Sequence, residues 1–205
     1  MAYDQINPNG RDKIPRSARS TEPAWVTTVA LPPEAAPFDL QAAINAAGDG
    51  EPTVIELNSD IILNGYDIKI PQDKILKLTS AGAEITHSID ANRLFRVLSV
   101  SSQAALYLEN IIITGGVGTD SGAGVSVFGG TLVMNNNAAI TGNQASGAGA
   151  GVLIRNGGTF CMNGGEITNN TAGTEGGGVN NGTGGIFLMA GGIISGNSCP
   201  LIGAS

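Results

Sequence analysis

Residues Thr131–Asn197 repeat one pattern three times: TLVMNNNAAITGN at 131–143, TFCMNGGEITNN at 159–170 and IFLMAGGIISGN at 186–197. Each copy opens with two apolar residues that are separated by a single residue, such as Leu132 and Met134. It then reaches an isoleucine followed by Thr or Ser, and ends two positions later at an Asn. The copies begin 27 or 28 residues apart. A repeat of this period indicates supersecondary units that stack and bury their apolar faces on one another.

Each complete unit contains three strand-like runs, represented by Leu132–Met134, Ala139–Thr141 and Gly151–Ile154, with Asn- and Gly-rich corners between them. No helical pattern interrupts the units. We therefore predict an all-β, single-stranded parallel β-helix in which each strand pairs with the equivalent strand of the next turn, about 4.8 Å away. Less regular runs begin at Thr53, which predicts about six turns in total.

Equivalent positions of successive turns are expected to form columns of like side chains. Three columns should face the core: Leu108/Met134/Met162/Met189, Ile113/Ile140/Ile167/Ile194 and Val125/Val152/Val179. At one corner, Asn143, Asn170 and Asn197 predict a structural Asn ladder whose amides hydrogen-bond along the stack.

The N-terminal 52 residues lack this pattern. Residues 1–37 contain six prolines and are predicted to be an extended arm or linker, with a short strand near Trp25–Val29 that docks on the body. Residues 38–52 predict a capping helix and a turn, because Leu40 and Ile44 lie on one helical face and the first turn of a solenoid needs a cover. Residues 53–205 form the predicted β-helix, with regular repeats from about residue 105.

Composition excludes several classes of function. The formal net charge of −7 disfavours nucleic-acid binding, which requires a basic face. No apolar stretch approaches a membrane span or the core of a signal peptide, so we expect no membrane insertion. No metal-ligand spacing or phosphate-binding loop is present, and no metal or cofactor is predicted. The two cysteines, Cys161 and Cys199, are expected to be unpaired, with Cys161 facing outward from its strand.

The run LFRVLSVSSQAALYLENIIITGG (94–116), followed by units of the form GGGV…F-x-M, resembles right-handed parallel β-helix proteins of the pectin-lyase-like superfamily. Within that superfamily it is most similar to adhesin-like bacterial proteins with polymorphic outer-membrane-type repeats. Those repeats combine a Gly-Gly-apolar element, matched by 177–179, with Phe-x-x-Asn, matched by 160–163. Leu132 and Ala190 depart from the second motif. The resemblance covers residues 38–198 and implies a right-handed coil.

Enzymes with this fold act on polysaccharides, and their chemistry requires a base near a bound carboxylate or a pair of carboxylates. The regular repeats supply neither. The irregular turns contain ITHSIDANRLFR (85–96), which carries the alternative catalytic candidates His87, Asp90, Arg93 and Arg96. The simpler interpretation is a solvated corner whose arginines pair with nearby acids.

A second surface feature is an outward column of hydroxyls. It consists of one residue per turn and is a weak candidate for contact with a sugar: Thr114, Thr141, Thr168 and Ser195. The ordinary explanation is the preference of Thr for exposed strands.

The sequence favours a non-enzymatic β-helix segment of a bacterial surface or secreted protein, acting as an adhesin-like binding or spacer module. The expected location is extracellular or at the cell surface. The expected partner is a glycan or a host or cell-surface protein, and the C-terminal end is expected to meet further repeats or another chain. Two alternatives stay open: a pectate-lyase-like or glycoside-hydrolase enzyme with its site in the irregular turns, and a virion- or tail-associated β-helix.

Overall fold

The computed structural model describes residues 22–82, 85–118 and 120–200. The chain forms a parallel β-solenoid of about six turns, with one short helix near the N-terminus. Every strand pair in the four sheets is parallel, and neighbours in a sheet come from successive turns. The β-helix predicted from the repeats is therefore confirmed.

The elements follow one another in a fixed order around each turn. Their bounds are β1 Thr27–Ala30, α1 Pro37–Ala46, β2 Pro52–Leu57, β3 Ile61–Ile62, β4 Ile68–Ile70, β5 Ile75–Ser80, β6 His87–Asp90, β7 Leu98–Val100, β8 Ala105–Leu108, β9 Ile111–Thr114, β10 Val117–Gly118, β11 Val125–Phe128, β12 Thr131–Met134, β13 Ala139–Thr141, β14 Gln144–Ala145, β15 Val152–Arg155, β16 Thr159–Met162, β17 Glu166–Thr168, β18 Thr171–Ala172, β19 Val179–Asn181, β20 Ile186–Met189 and β21 Ile193–Ser195.

These strands stack into four sheets, named here in the order in which a turn visits them. The first sheet is β1-β2-β5-β8-β12-β16-β20, the second is β3-β6-β9-β13-β17-β21, the third is β10-β14-β18 and the fourth is β4-β7-β11-β15-β19. The third sheet adds a two-residue strand to the three strands predicted for each regular turn. Such a strand is too short to show the alternation by which strands are recognised in a sequence.

The predicted columns coincide with the observed registers. Met134 pairs with Met162, which pairs with Met189, and Ile140 pairs with Ile167. Leu132, Phe160 and Phe187 form a further column in the same sheet. Phe160 is fully buried, and its ring stacks on that of Phe187 with centroids 5.1 Å apart. The core is therefore a continuous apolar column along the solenoid axis, built from one or two side chains per strand.

The N-terminal end of the core is covered by the chain itself. Strand β1 pairs in parallel with β2, which confirms the docking strand predicted near Trp25. Helix α1 buries Leu40 and Ile44 completely against the first turn, which confirms the predicted cap. The Asp39 carboxylate accepts a hydrogen bond from the Ala36 N–H at 2.8 Å and so satisfies the start of the helix.

The segment before β1 lies across the outer face of the first sheet. The Trp25 ring meets Tyr107 edge-on at 5.2 Å, and Lys77 Nζ lies 5.0 Å from the Trp25 ring centroid. Lys77 also pairs with Glu109 at 2.7 Å and Glu22 at 3.2 Å. Burial opposes the charged form of Lys77, but the hydrogen bonds and charges of the two glutamates outweigh it and raise the Lys77 pKa. These contacts anchor the arm to the first sheet.

Cys161 and Cys199, both within the described residues, do not form a disulfide. Cys161 projects from the outer side of β16, as predicted, but it is only 4 % exposed because Tyr107 and Val133 form an apolar cluster with it. Strand alternation therefore predicted correctly that Cys161 faces outward, but an outward side chain is not necessarily exposed to solvent. In the described part of the chain, no helical segment has the length and hydrophobicity needed to span a bilayer.

Candidate functional site

The four catalytic candidates occupy different places in the second turn. His87 and Asp90 are three positions apart in β6, so their side chains project from opposite faces of the strand. His87 Nδ1 lies 3.6 Å from the Asp60 carboxylate, while the Asp90 carboxylate accepts a hydrogen bond from the Asn92 N–H at 2.7 Å. This separation places His87 and Asp90 in different surroundings.

Arg96 is held by the backbone of the next turn. Its Nε donates a hydrogen bond to the Gly122 carbonyl, and its Nη2 donates one to the Ser121 carbonyl at 2.7 Å. Burial lowers the pKa of this guanidinium. Of the four candidates only Arg96 lines a concavity of about 220 Å³, together with Asp67 and Asp120. The hydrogen bonds make Arg96 a connection between the second and third turns.

Arg93 has a different role in the backbone. Its φ of 60° is in the left-handed region, and its N–H donates to the Gly115 carbonyl at 2.8 Å. Its side chain is exposed. The described residues contain no group of three or more His, Cys, Asp or Glu side chains arranged to hold a metal ion.

Asn143, Asn170 and Asn197 hydrogen-bond to one another along the stack. The Asn170 side-chain oxygen accepts from the backbone N–H and the Nδ2 of Asn143, at 3.0 and 2.9 Å. The Asn197 oxygen accepts the same two bonds from Asn170. Asn143 and Asn170 are buried at 1 % and 0 % exposure. The Asn143 and Asn170 side chains are therefore engaged in hydrogen bonds inside the corner, whereas Asn197, in the last described turn, is partly exposed.

The hydroxyl column lies on the outer face of the second sheet. Thr114, Thr141 and Thr168 are in register, and Thr168 Oγ1 donates to Thr141 Oγ1 at 3.2 Å. Asp90 precedes Thr114 in the same column, and Ser195 follows Thr168. A second outward column runs beside it, two positions earlier in each strand: Ser88, Ile112, Ala139, Glu166 and Ile193. This face is therefore mostly uncharged.

The corner between the first and second sheets contains two concavities that share Asn136 and Asn137. We call them together the corner furrow. The larger, about 560 Å³, is lined by Asn136, Asn137, Ala138, Ala139, Asn163, Gly164, Gly165, Glu166, Gly192 and Ile193. The smaller, about 250 Å³, is lined by Thr79, Ser80, Gly82, Glu109, Asn110, Asn136 and Asn137. The furrow borders the outward column that contains Ala139 and Glu166.

The furrow arises from unequal corner lengths. Between register-equivalent positions of the two sheets, the fourth turn has the four residues 135–138, whereas the third and fifth turns have three each, 109–111 and 163–165. The extra residue makes the fourth corner protrude as a ridge. Next to it the chain is glycine: a Cβ at Gly164 would collide with the Asn136 carboxamide, and one at Gly165 (φ 78°) with the Ala138 carbonyl.

The furrow presents hydrogen-bonding groups without positive charge. Asn163 Nδ2 donates to the Asn135 side-chain oxygen at 3.1 Å, which orients both amides, while Asn136 and Asn137 are exposed. Asn110 is bound within its corner, accepting from Thr86 Oγ1 at 2.7 Å. Nothing in the repeat pattern alone indicated this site, because the extra residue in the 135–138 corner becomes meaningful only with the strand register.

Comparisons with protein-family models, with curated proteins and with solved structures returned no match for this chain. The structure shows the solenoid architecture, whereas the superfamily suggested by the repeat motifs stays a prediction.

Proposed function

We propose that this chain is a non-enzymatic β-solenoid segment of a bacterial surface or secreted protein, related to the adhesin-like members of the pectin-lyase-like superfamily. It acts as a binding or spacer module that contacts a glycan or a cell-surface protein outside the cell. The observation that carries this proposal is the mostly uncharged face of the regular turns, where the hydroxyl column lies near the amide-lined corner furrow.

The arrangement of carboxylates supports a binding role over hydrolysis. Asp90 and Glu166 both project from the outer face of the second sheet, but three turns separate their strands. At about 4.8 Å per turn, this places them more than about 14 Å apart. Glycosidases hold their two carboxyl groups about 5 to 9.5 Å apart.

Binding is tested by applying the purified chain to a glycan array and to a panel of extracellular-matrix proteins. The proposal expects a reproducible signal that the double variant Thr141→Ala/Asn136→Ala reduces. A chain that binds no glycan and no protein would retain only the spacer role.

The concavity beside Arg96 favours a second candidate function, a polysaccharide-acting enzyme. There the partly buried Arg96 guanidinium and the residues Asp67 and Asp120 line one recess of the irregular turns. Release of unsaturated or reducing ends from polygalacturonate, with and without calcium, tests this candidate. Activity that survives in both Asp67→Asn and Asp120→Asn would remove this recess as its site.

The partner expected at the C-terminal end and the virion-associated alternative remain proposals. Met189 of the sixth turn is about half exposed, whereas its counterparts Met134 and Met162 in the core column are fully buried, which supports docking of another coil or chain on this end. Analytical ultracentrifugation distinguishes these cases: a trimer favours the virion-type rod, whereas a monomer favours the adhesin-like module. Residues 201–205 lie outside the described part of the chain.

A further inference from the structure

We propose that the corner furrow is the glycan site, and that it binds an uncharged polysaccharide lying along the solenoid axis. This inference rests on the proposed function and gives it a location and a ligand class. Its two concavities extend from the second turn, at Ser80, to the sixth, at Ile193. Five stacked turns correspond to a length of about 19 Å, which suits a chain molecule better than a compact one.

The charges of the furrow select a neutral ligand. Neither concavity is lined by Lys, Arg or His among the described residues, and each contains one glutamate. Glu109 is already paired with Lys77 at 2.7 Å, whereas Glu166 is exposed and has no cation among the residues that line its concavity. With a formal net charge of −7 on the whole chain, an anionic polymer would be repelled at this surface.

The hydrogen-bonding chemistry fits sugar hydroxyls. A hydroxyl both donates and accepts, and so does the carboxamide of Asn136, Asn137 or Asn163. Gly164 and Gly165 add no side chain of their own to the floor, which lets the Asn136 carboxamide lie directly against Gly164. No aromatic side chain lines the two concavities among the described residues, so binding should depend on these amides rather than on stacking.

The direction of the furrow disfavours a peptide ligand. The furrow crosses the corners of successive turns. Beside it the strands of the third to fifth turns are paired on both sides, and among the described residues only β20 and β21 of the sixth turn are paired on one side alone. An extended peptide binds most effectively by adding a strand to an open sheet edge. The furrow meets such an edge only at its sixth-turn end, so a polymer recognised through its hydroxyl groups along the whole length is the better occupant.

The test is affinity electrophoresis of the whole chain in native gels containing galactomannan, xyloglucan, mixed-linkage β-glucan or polygalacturonate. Asn136→Ala removes an exposed ridge amide, and Gly164→Ala fills the floor by displacing that same amide. Gln144→Ala is the matched control, because it removes an exposed amide from the third sheet in the same turn. Circular dichroism and the unfolding midpoint verify that each variant is folded.

We expect at least one neutral polymer to retard the wild type. Asn136→Ala and Gly164→Ala should each raise its Kd about fivefold, the range expected for one lost hydrogen bond, and Gln144→Ala should not. Equal retardation of all variants would refute the furrow as the site and leave glycan binding intact. Retardation by polygalacturonate alone would refute the neutral ligand class. No retardation by any polymer, with an empty glycan array, would refute both this inference and the glycan-binding function.

Discussion

Replacing Asn170 by alanine removes the centre of the Asn ladder. The carboxamide of Asn170 makes four hydrogen bonds in the corner. Its Nδ2 donates to the Ile140 carbonyl and to the Asn197 side chain, both at 2.9 Å. Its oxygen accepts the backbone N–H of Asn143 at 3.0 Å and the Nδ2 of Asn143 at 2.9 Å. Since Asn170 is fully buried, water cannot replace these bonds without entering the corner.

The expected loss of stability follows from the groups that are left behind. The N–H of Asn143 and the carbonyl of Ile140 would lose their side-chain partner while still buried. A buried polar group without a partner costs about 1 to 3 kcal/mol. Two such groups predict that the free energy of unfolding falls by about 4 kcal/mol, near the upper limit for a single substitution.

The measurement is equilibrium unfolding in urea, followed by circular dichroism, for Asn170→Ala and for the control Asn163→Ala. Asn163 is exposed and makes one side-chain bond, to Asn135, so its loss should change stability by no more than about 0.5 kcal/mol. Equal slopes against urea are needed for the comparison. A loss below about 1.5 kcal/mol for Asn170→Ala would refute the argument, because the corner would then relax or hydrate at little cost.

Three further perturbations test the arm, a corner and the core. The raised pKa of Lys77 means that its stabilisation is complete below the ordinary value of 10.5 and lost as pH rises through the higher folded value. The emission of Trp25, the single tryptophan, should therefore shift to the red only above pH 10.5, and this step should be absent from Lys77→Met. Gly165→Ala should destabilise the protein more than Gly157→Ala. The angle φ is near 80° at both glycines, but an added Cβ would meet a neighbouring carbonyl only at Gly165. Equal urea midpoints of unfolding for the two variants would contradict this. Phe160→Ala should lower the free energy of unfolding by about 3 to 5 kcal/mol in the same urea assay, and a loss under 1 kcal/mol would show that the core collapses around the cavity.

The regular turns could be predicted from the sequence because their constraints are local and periodic. Each turn must present an apolar residue at the same place, so Leu132, Phe160 and Phe187 appear in the sequence at the spacing of the turn. The capping helix was likewise visible from the face that contains Leu40 and Ile44. In these turns the repeat period of the sequence determines which residues pair between neighbouring strands, so the strand register could be predicted from the period.

The remaining features depend on contacts between distant parts of the chain. Nothing in the local sequence pairs Lys77 with Trp25, which lies 52 positions earlier, and alternation alone did not reveal that Cys161 is covered. The clustering proposed along 85–96 assumed that sequence neighbours share a surface, whereas strand β6 separates His87 from Asp90. The corner furrow depends on the unequal lengths of the corners in successive turns, which become informative only when the strand register is known.

The pairing of each strand with its counterpart one turn later has a consequence for how the chain folds. Ile140 and Ile167 are 27 residues apart, so the first such contact must close a loop of that length, at an entropic cost of about 3 kcal/mol plus a constant term. Once two turns are stacked, each further turn adds to an existing edge and gains its hydrogen bonds and core contacts immediately. Folding should therefore begin slowly and then advance turn by turn. Folding of this kind suits a polypeptide whose turns emerge one after another, starting from one end of the chain.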